Sequence, residues 1–455
     1  MQDNEREATP LVHEDRNIGA ELANLQQIVT NAYGDELWTA IKTGIAVIAS
    51  LSFKGLANPI TLLYEGGAGR GKSTIINVLN PDRESIKRLV YRLDNFTPKS
   101  FVTHAANVPK ENIAKIDLLP QLKDKVLLVK ELAPLFKGRE DELRANFAVL
   151  TAVLDGKGYV SASGVHGTRG YEGKYVFNWL GATTPVPAKT DAIMAQLGNR
   201  ILRYEIVGRE PSEEELLEFA ESFEPESQEA TCREAVNDFL DCFFPLYPPR
   251  TVSPESIEIP NDLRLELVRL AQLIAHGRVE VTRITATNGF DRAEEEFLPG
   301  IAEGPHRIIV YLRTIALALA LVGGRRSVNA EDLEILRLIA FSTINYVRRE
   351  VLREVLVAGG NLTSTQLEGK LGVSRPTARG RMRELAACGI VSWHKGEGSS
   401  PDSITLGEGW KWLLQREAPE KKMINVIPEV TTSVGPLRRV PLWVLARPFR
   451  LGSPS

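Results

Sequence analysis

The chain has 455 residues, of which 43% are hydrophobic, and its formal net charge is −3. A chain of this length buries a sizeable core but exceeds one typical domain, so two or three domains are expected. Its three widely spaced cysteines argue against a disulfide framework, and no apolar stretch is long enough to span a bilayer, so we expect a cytoplasmic protein without membrane contact.

The most specific motif lies at residues 66–74, which read Gly-Gly-Ala-Gly-Arg-Gly-Lys-Ser-Thr. They contain the complete phosphate-loop pattern G-x-x-x-x-G-K-[ST]. A short apolar run of strand type, residues 60–64, precedes them, and residues 74–79 can open a helix. Because a phosphate loop requires a strand before it and a helix after it, this context supports the motif and predicts an ATPase or GTPase.

The residue types of this loop suit the phosphates of a nucleotide. Its glycines let successive backbone N–H groups turn toward the phosphates, Lys72 brings an ammonium group to the β- and γ-oxygens, and the Ser73 hydroxyl can ligate Mg²⁺. The N-terminus of the following helix adds a partial positive charge. We therefore expect ATP and Mg²⁺ as ligands, with Ser73 holding the metal. The predicted nucleotide-binding residues are Gly66, Gly67, Ala68, Gly69, Arg70, Gly71, Lys72, Ser73 and Thr74.

Strand-like apolar runs recur after the loop and alternate with helical segments. They are residues 88–93, 126–129, 175–182 and 201–207. This alternation predicts a parallel α/β sheet, in which functional side chains collect at the carboxyl ends of the strands. The polar residues that adjoin these runs are therefore the candidates for chemistry.

The run at residues 126–129 is followed by Lys130 and Glu131, where a Walker B strand usually ends in Asp-Glu. Glu131 is the candidate that orients and deprotonates the attacking water. The alternative is that Glu131 only caps the segment that follows it. Lys130 cannot hold Mg²⁺ as an acid would, so either Ser73 and the phosphates hold the metal alone or hydrolysis is weak.

Two further polar positions adjoin strands of the predicted sheet. The run at residues 175–182 continues into Thr183 and Thr184, and a hydroxyl there can hydrogen-bond the attacking water or the γ-phosphate. Arg200 stands immediately before the last run. At a subunit edge, such an arginine can reach the γ-phosphate of a neighbouring subunit as an arginine finger.

The order of these motifs resembles that of an AAA+ ATPase. The motifs are the phosphate loop, the strand ending in Glu131, a hairpin-like segment at residues 150–173, the A-T-T-P strand end and the G-N-R at residues 198–200. They are most similar to the MCM-like clade. The resemblance implies an AAA+ P-loop parallel sheet flanked by helices, an α-helical lid, and self-association into a hexameric ring. It also implies that Thr184 occupies the sensor 1 position and Arg200 the finger position.

The same resemblance extends to the helical region downstream. Residues 306–333 look like the helical lid that carries sensor 2 in this family. For that catalytic role, Arg307 is the first choice and Arg313 the second, because the spacing does not decide between them.

The C-terminal part of the chain is basic, since residues 346–455 hold 17 lysines and arginines against 10 aspartates and glutamates. Within it, residues 363–385 predict a helix, a tight turn and a second helix, with Thr363 and Ser374 as N-caps. Two strands around a flexible wing are expected at residues 390–406. This arrangement resembles a winged helix-turn-helix domain.

A winged helix-turn-helix domain binds DNA through its second helix and its wing, where arginines can meet phosphates or base edges. The predicted DNA-binding residues are Ser374, Arg375, Thr377, Arg379, Arg381, Arg383 and Lys395. The alternative is a winged helix used for protein contact or subunit packing, because residues 346–415 carry a net charge of only +3, from ten basic and seven acidic side chains.

These features divide the chain into predicted segments: an N-terminal extension (1–34), an AAA+ α/β core (35–209), a helical linker and lid (210–345), a winged helix-turn-helix domain (346–415) and a Pro-punctuated tail (416–455). We expect an ATP-dependent, helicase-like or translocase motor that acts on DNA. The alternatives are an ATP-switched initiator, loader or transcriptional regulator without processive motion, and a nucleotide-binding scaffold with weak hydrolysis.

Overall fold

The structure, a computed structural model, describes residues 17–103, 110–163, 167–208, 212–221, 225–288 and 292–414. The predicted tail at residues 416–455 lies outside the described residues, as do residues 1–16 of the predicted N-terminal extension. None of the described helices combines the length and the apolar character that crossing a membrane requires.

Helices and strands alternate through the first half of the chain. In chain order its elements are α1 (Ile18–Ala49), β1 (Thr61–Glu65), α2 (Lys72–Val78), α3 (Glu84–Lys87), β2 (Val90–Leu93), α4 (Lys110–Ile116), α5 (Leu118–Leu122), β3 (Val126–Val129), α6 (Glu140–Val153), β4 (Gly158–Ser163), β5 (Gly167–Glu172), β6 (Asn178–Thr183), α7 (Ala188–Leu197) and β7 (Ile201–Glu205). The second half is mainly helical. Its elements are α8 (Glu213–Glu221), α9 (Pro225–Leu246), α10 (Asn261–Gly277), β8 (Val281–Asn288), β9 (Arg292–Pro299), α11 (His306–Val322), α12 (Ala330–Thr343), α13 (Tyr346–Val357), β10 (Asn361–Thr363), α14 (Ser364–Leu371), α15 (Arg375–Ala387), β11 (Val391–His394) and β12 (Ser403–Leu406).

A five-stranded sheet forms the centre of the first half, in the order β2-β3-β6-β1-β7. Every neighbouring pair in this order is parallel. The prediction of a parallel α/β sheet is thus confirmed. Because the strands are parallel, the carboxyl ends of β3, β6 and β1 lie side by side at one edge of the sheet.

The sheet is covered on both faces, because successive side chains of a strand point to opposite sides. In β1, Leu62 and Tyr64 join the apolar core that includes α1, α2, α9 and α11, whereas Leu63 joins the core beneath α5, α6 and α7. Strands buried on both faces are continuous apolar runs, which is the pattern that the sequence shows.

Helix α1 packs along α9 and α11 on the first face of the sheet. It begins after Asn17, whose side chain accepts hydrogen bonds from the N–H groups of Gly19 and Ala20. At Gly34 the backbone leaves the helical conformation, with a φ of 79°, so α1 consists of two helical segments joined at a kink.

The C-terminal unit, residues 346–414, contains α13, α14, α15 and an antiparallel sheet in the order β10-β12-β11. Both predicted N-caps are confirmed. The side chain of Thr363 accepts a hydrogen bond from the N–H of Gln366 at the start of α14, and that of Ser374 accepts one from the N–H of Thr377 at the start of α15. Apolar side chains from its helices and strands form a core of their own, which extends to the ends of α10 and α12.

The region predicted as a helical linker and lid also contains an antiparallel hairpin, β8–β9, which the sequence analysis did not predict. Residues 281–287 read Val-Thr-Arg-Ile-Thr-Ala-Thr, and such an excess of β-branched residues is typical of a strand. The pairing runs from Val281 opposite Pro299 to Asn288 opposite Arg292. Strand β9 lies against α15, so the hairpin joins the lid region to the C-terminal unit.

Candidate nucleotide-binding site

The phosphate loop, residues 66–71, connects β1 to α2 at the carboxyl edge of the sheet. Gly69 and Gly71 have φ angles of +74° and +80°, a backbone conformation that residues with side chains rarely adopt. A Cβ at Gly71 would also come within 2.9 Å of the Leu37 side chain. The positive φ is what favours glycine at position 71, because the Leu37 contact is with the end of a flexible side chain that can shift.

Lys72 is the first residue of α2, and only 7% of its surface is exposed. Its Nζ donates a hydrogen bond to the carbonyl oxygen of Gly67 at 2.5 Å, which holds the ammonium group against the loop. Burial lowers the pKa of Lys72, and the negative charge of Glu131 opposes that shift. Ser73 is exposed, as are residues 67–69. An ammonium group and an open hydroxyl thus stand on consecutive residues beside an exposed loop.

Two contacts fix the loop against the segment that follows β7. Arg70 donates from Nη1 to the carbonyl oxygen of Gly208 at 3.0 Å. A Cβ at Gly66 would lie 2.7 Å from the carbonyl oxygen of Ile206, so the backbones approach too closely there for a side chain. Thr74 is half-buried in the first turn of α2. The loop is therefore held at both ends while residues 67–69 stay open to solvent.

Glu131 lies at the same edge of the sheet, directly after β3. Its Oε1 accepts a hydrogen bond from the N–H of Ala133 at 2.7 Å, so Glu131 does cap the segment that follows it. The side chain is exposed, and its charge acts on Lys72. Capping uses one carboxylate oxygen, and a carboxylate has acceptor sites on both. The capping contact and a catalytic role are compatible with this geometry.

Thr183 and Thr184 stand where β6 ends, between β3 and β1 in the sheet. Thr183 is buried, and its Oγ1 donates to the carbonyl oxygen of Thr184 at 2.9 Å. Its own carbonyl oxygen accepts a hydrogen bond from the N–H of Gly66 at 3.3 Å. Thr184 is half-buried. The sheet order therefore brings Glu131, the two threonines and the phosphate loop to one edge.

A cluster of buried charges, which the sequence analysis missed, adjoins the loop. Glu65 ends β1 and Glu205 ends β7. Arg349 of α13 donates from Nη2 to Glu205 Oε1 at 2.7 Å and lies 3.6 Å from Glu65 Oε2. Arg353, one turn later, donates to Glu205 Oε2 at 3.1 Å. Burial lowers the pKa of Arg353, against the opposing charge of Glu205.

This cluster links the first helix of the C-terminal unit to the strand that leads into the phosphate loop. The sequence contained two indications of it. Glu65 and Glu205 are acidic residues at the ends of buried strands, and Arg349 and Arg353 are four residues apart, on one face of a helix. Their pairing depends on the tertiary fold, so it could not be read from either segment alone.

The predicted finger and the predicted sensor 2 arginine lie at the opposite edge of the sheet. Arg200 precedes β7, and β7 runs parallel to β1, so Arg200 stands at the amino edge while the loop stands at the carboxyl edge. Its Nε lies 3.1 Å from Asp155 Oδ1, and Arg307 Nη2 lies 3.7 Å from the same oxygen. Arg313 is exposed on α11. The fold therefore places Arg200 and Arg307 beside the same carboxylate, but it places neither of them near the phosphate loop of its own chain.

The predicted DNA-binding arginines of α15 all have contacts within the chain. Arg375 donates from Nη2 to Thr365 Oγ1 at 3.1 Å. Arg379 pairs with Asp402, Arg381 pairs with Glu350, and the guanidinium group of Arg383 lies over the ring of Phe297. The exposed members of the predicted set are Ser374, Arg375, Thr377, Arg379 and Lys395. Arg381 and Arg383 are half-buried.

Comparison with known proteins assigns no family to this geometry. No protein-family model matches the chain, and no curated protein matches its sequence. A functional assignment therefore depends on the residues described above.

Proposed function

We propose that the chain is an ATPase that binds ATP and Mg²⁺ at residues 66–74 and acts on DNA through its C-terminal unit. The main support for this proposal is the phosphate loop together with the strand before it and the helix after it. It follows a central strand, turns at two glycines with positive φ, and leads into a helix that begins at Lys72. The parallel sheet flanked by helices is compatible with a P-loop fold.

The loop fits a nucleotide triphosphate with its metal ion. Residues 67–69 are exposed, and no atom lies within 4 Å of a Cβ built at Gly69, so there is open space beside the backbone. Lys72 would hold the β- and γ-phosphates, and Ser73 would ligate Mg²⁺, which supplies charge neutralisation on the phosphates when bound. Within the described ranges, no three His, Cys, Asp or Glu side chains cluster so that they could hold a metal ion. Phosphate oxygens would therefore complete the ligand set.

The residues proposed to catalyse hydrolysis lie at the carboxyl edge of the sheet, beside the phosphate loop. Glu131 would accept a proton from the attacking water, and Thr184 would orient that water or the γ-phosphate. Lys130 replaces the usual acid, so the metal has no carboxylate at that position. Arg349 and Arg353 of α13, in the C-terminal unit, pair with the acidic strand ends beside the loop, whereas Arg307 and Arg313, the sequence-based candidates for sensor 2, lie on α11.

Action on DNA is supported by the arrangement of the C-terminal unit. Strand β10 is followed by a helix, a tight turn, a second helix and the strands β11 and β12, and the three strands form one antiparallel sheet. This order resembles a winged helix-turn-helix domain. Recognition helices contact bases with their N-terminal residues, and Ser374, Arg375 and Thr377 are exposed at the N-terminus of α15. A helicase-like or translocase motor, assembled as a ring, is the function that we put first.

Steady-state ATP hydrolysis by the purified chain, with and without single- and double-stranded DNA, tests this proposal. Lys72→Ala is the blank, because it removes the ammonium group that would hold the phosphates. We expect turnover in the wild type, loss of turnover in the blank, and stimulation by DNA. Turnover equal to that of the blank would contradict an ATPase.

A second candidate is an ATP-dependent switch that controls DNA binding without processive motion. The ion pairs from Arg349 and Arg353 to the strand ends beside the loop favour it, because they connect the nucleotide site directly to the C-terminal unit. A switch would hydrolyse ATP slowly whether or not DNA is present, and its DNA affinity would change when ATP is added. A motor would show turnover that DNA accelerates.

A further inference from the structure

A cleft of about 720 Å³ lies between the β8–β9 hairpin, α15 and α7, away from the phosphate loop. Of the described side chains that line it, seven are arginines and four are acidic. Six of the seven arginines pair with carboxylates, and three of these carboxylates, Glu303, Glu350 and Asp402, lie outside the lining. Among the described lining residues, Arg383 is therefore the arginine without an ion pair, and it is the group that can meet an anionic ligand.

Two of these arginines hold the walls of the cleft together. Arg278 is buried and donates from Nη2 to the carbonyl oxygen of Asn199 at 3.0 Å, and it also pairs with Glu303. Arg348 is buried and donates from Nε to Glu384 Oε1 at 2.8 Å. Because protein groups occupy their donors, Arg278 and Arg348 are structural. A ligand would instead meet the arginines beside Phe297, which are Arg283 and Arg383.

Phe297 packs against these two arginines of the cleft. The guanidinium groups of Arg283 and Arg383 lie over its ring, at 5.9 and 5.5 Å from the centroid. Arg283 also pairs with Glu295, whereas no described carboxylate lies within ion-pair distance of Arg383. An arginine stacked on an aromatic ring keeps its N–H donors free at the rim of the guanidinium plane. Arg383 is thus preorganised to bind a phosphate group.

The size of the cleft limits what can occupy it. Pockets of roughly 300–1,000 Å³ hold one small ligand, so this cleft has room for one or two nucleotides and not for a duplex. Thr377 and Arg379, on the face of α15 assigned above to DNA, also line it. Arginine and aromatic side chains that line one cleft are the combination with which proteins bind single strands.

We infer that this cleft binds a single-stranded nucleic acid, with a backbone phosphate on Arg383 and a base beside Phe297. The inference rests on the proposed action on DNA, and it names a single strand, not a duplex, as the partner of this face of α15. The β8–β9 hairpin is the second wall of the site. Both a nucleotide within a strand and a free nucleotide have the required chemistry, and the experiment separates them.

The test is fluorescence anisotropy of a labelled oligothymidylate and of a labelled duplex with the full chain. Arg383→Ala is expected to weaken single-strand binding about tenfold or more, because it removes both the phosphate contact and the guanidinium group that packs on the Phe297 ring beside the base. The slope of log affinity against log salt should fall by about 0.7 for the lost phosphate. Arg139→Ala is the control, since Arg139 has 82% of its side chain exposed and does not line the cleft. It should leave single-strand binding unchanged.

Phe297→Leu keeps an apolar side chain in the hairpin and should weaken single-strand binding in parallel with Arg383→Ala. Unchanged single-strand binding in both variants would overturn the inference, and duplex binding that depends on Arg375 would then leave the proposed function standing. Absence of binding to either DNA by the wild type would overturn both. If ATP displaces the strand from the Lys72→Ala variant as readily as unlabelled oligothymidylate does, the cleft is a mononucleotide site and the inference is wrong.

Photocrosslinking of the wild type to a strand that contains 5-iodouracil gives a readout independent of protein variants. Crosslinks in β9 or α15, mapped by mass spectrometry, are expected. Crosslinks confined to other parts of the chain would overturn the inference.

Discussion

Glu131 combines a structural contact with a proposed chemical role, and a single substitution can separate the two. Glutamine retains the side-chain oxygen that accepts the hydrogen bond from Ala133, but it is not a base. We therefore expect Glu131→Gln to keep the fold and ATP binding while turnover falls by about 10²–10⁴-fold. ATP binding and steady-state hydrolysis, measured on the same preparation, check this.

Glu131→Ala is the matched control for the capping contact. It removes the acceptor as well as the base, so it should lower the melting temperature relative to Glu131→Gln while hydrolysis stays equally low. If Glu131→Gln hydrolyses ATP at the wild-type rate, the carboxylate only caps, and the base lies elsewhere.

Helix α13 joins two parts of the molecule through charges that are almost inaccessible to solvent. Arg349 has 1% of its side chain exposed and is within ion-pair distance of both Glu65 and Glu205. Glu65 Oε1 accepts a hydrogen bond from the N–H of Val186 at 2.7 Å, and among the described residues no group hydrogen-bonds its Oε2. Removing the cation would leave the buried Glu65 without a counter-charge among the described residues at ion-pair distance, and Glu205 with Arg353 alone. This is far more costly than losing an exposed pair.

We therefore expect Arg349→Met to destabilise the chain by about 3–5 kcal/mol. Arg92→Met breaks an exposed pair with Asp94 and should change stability by less than about 1 kcal/mol. Urea unfolding followed by tryptophan fluorescence measures both. Equal midpoints for the two variants would contradict the view that the α13 cluster stabilises the fold.

The elements that the sequence predicts correctly are those with local causes. The strand, glycine-rich turn and helix at residues 61–78 are recognisable because the glycines and Lys72 stand at fixed spacing. The starts of α14 and α15 are recognisable because Thr363 and Ser374 cap their own helices. The buried strands are recognisable because both of their faces need apolar side chains. Each of these patterns is contained within one short segment.

The features that the sequence does not reveal depend on contacts between distant segments. Nothing near Glu65 indicates that Arg349 will lie 3.6 Å from it, because α13 reaches the strand only after the whole helical region has folded. The β8–β9 hairpin had a local indication in the β-branched residues of β8, but it lies between helical segments and was not predicted. The position of Arg200 relative to the phosphate loop follows from strand direction, which a single strand does not specify.

At the scale of the whole molecule, the two edges of the sheet carry different parts of the proposed machinery. The phosphate loop, Glu131 and Thr184 lie at the carboxyl edge, and Arg200 lies at the amino edge, roughly 16 Å away along a five-residue strand. Arg200 therefore cannot act on the nucleotide of its own chain without a large rearrangement. If it takes part in hydrolysis, it acts on a neighbouring chain, which requires self-association.

A subunit-mixing experiment tests this arrangement. Arg200→Ala should lower turnover by about 10³-fold or more while each chain still binds ATP, as expected for loss of an arginine finger. Arg307 stays 3.7 Å from Asp155, so the carboxylate that pairs with Arg200 keeps a cation and the fold should persist.

Mixing Arg200→Ala with Lys72→Ala chains should restore part of the activity, because some interfaces then combine an intact loop with an intact finger. Arg139→Ala, at an arginine with 82% of its side chain exposed, is the control and should behave as the wild type. No recovery at any mixing ratio, or a monomer by light scattering in the presence of ATP, would contradict an arginine finger supplied by a neighbouring chain.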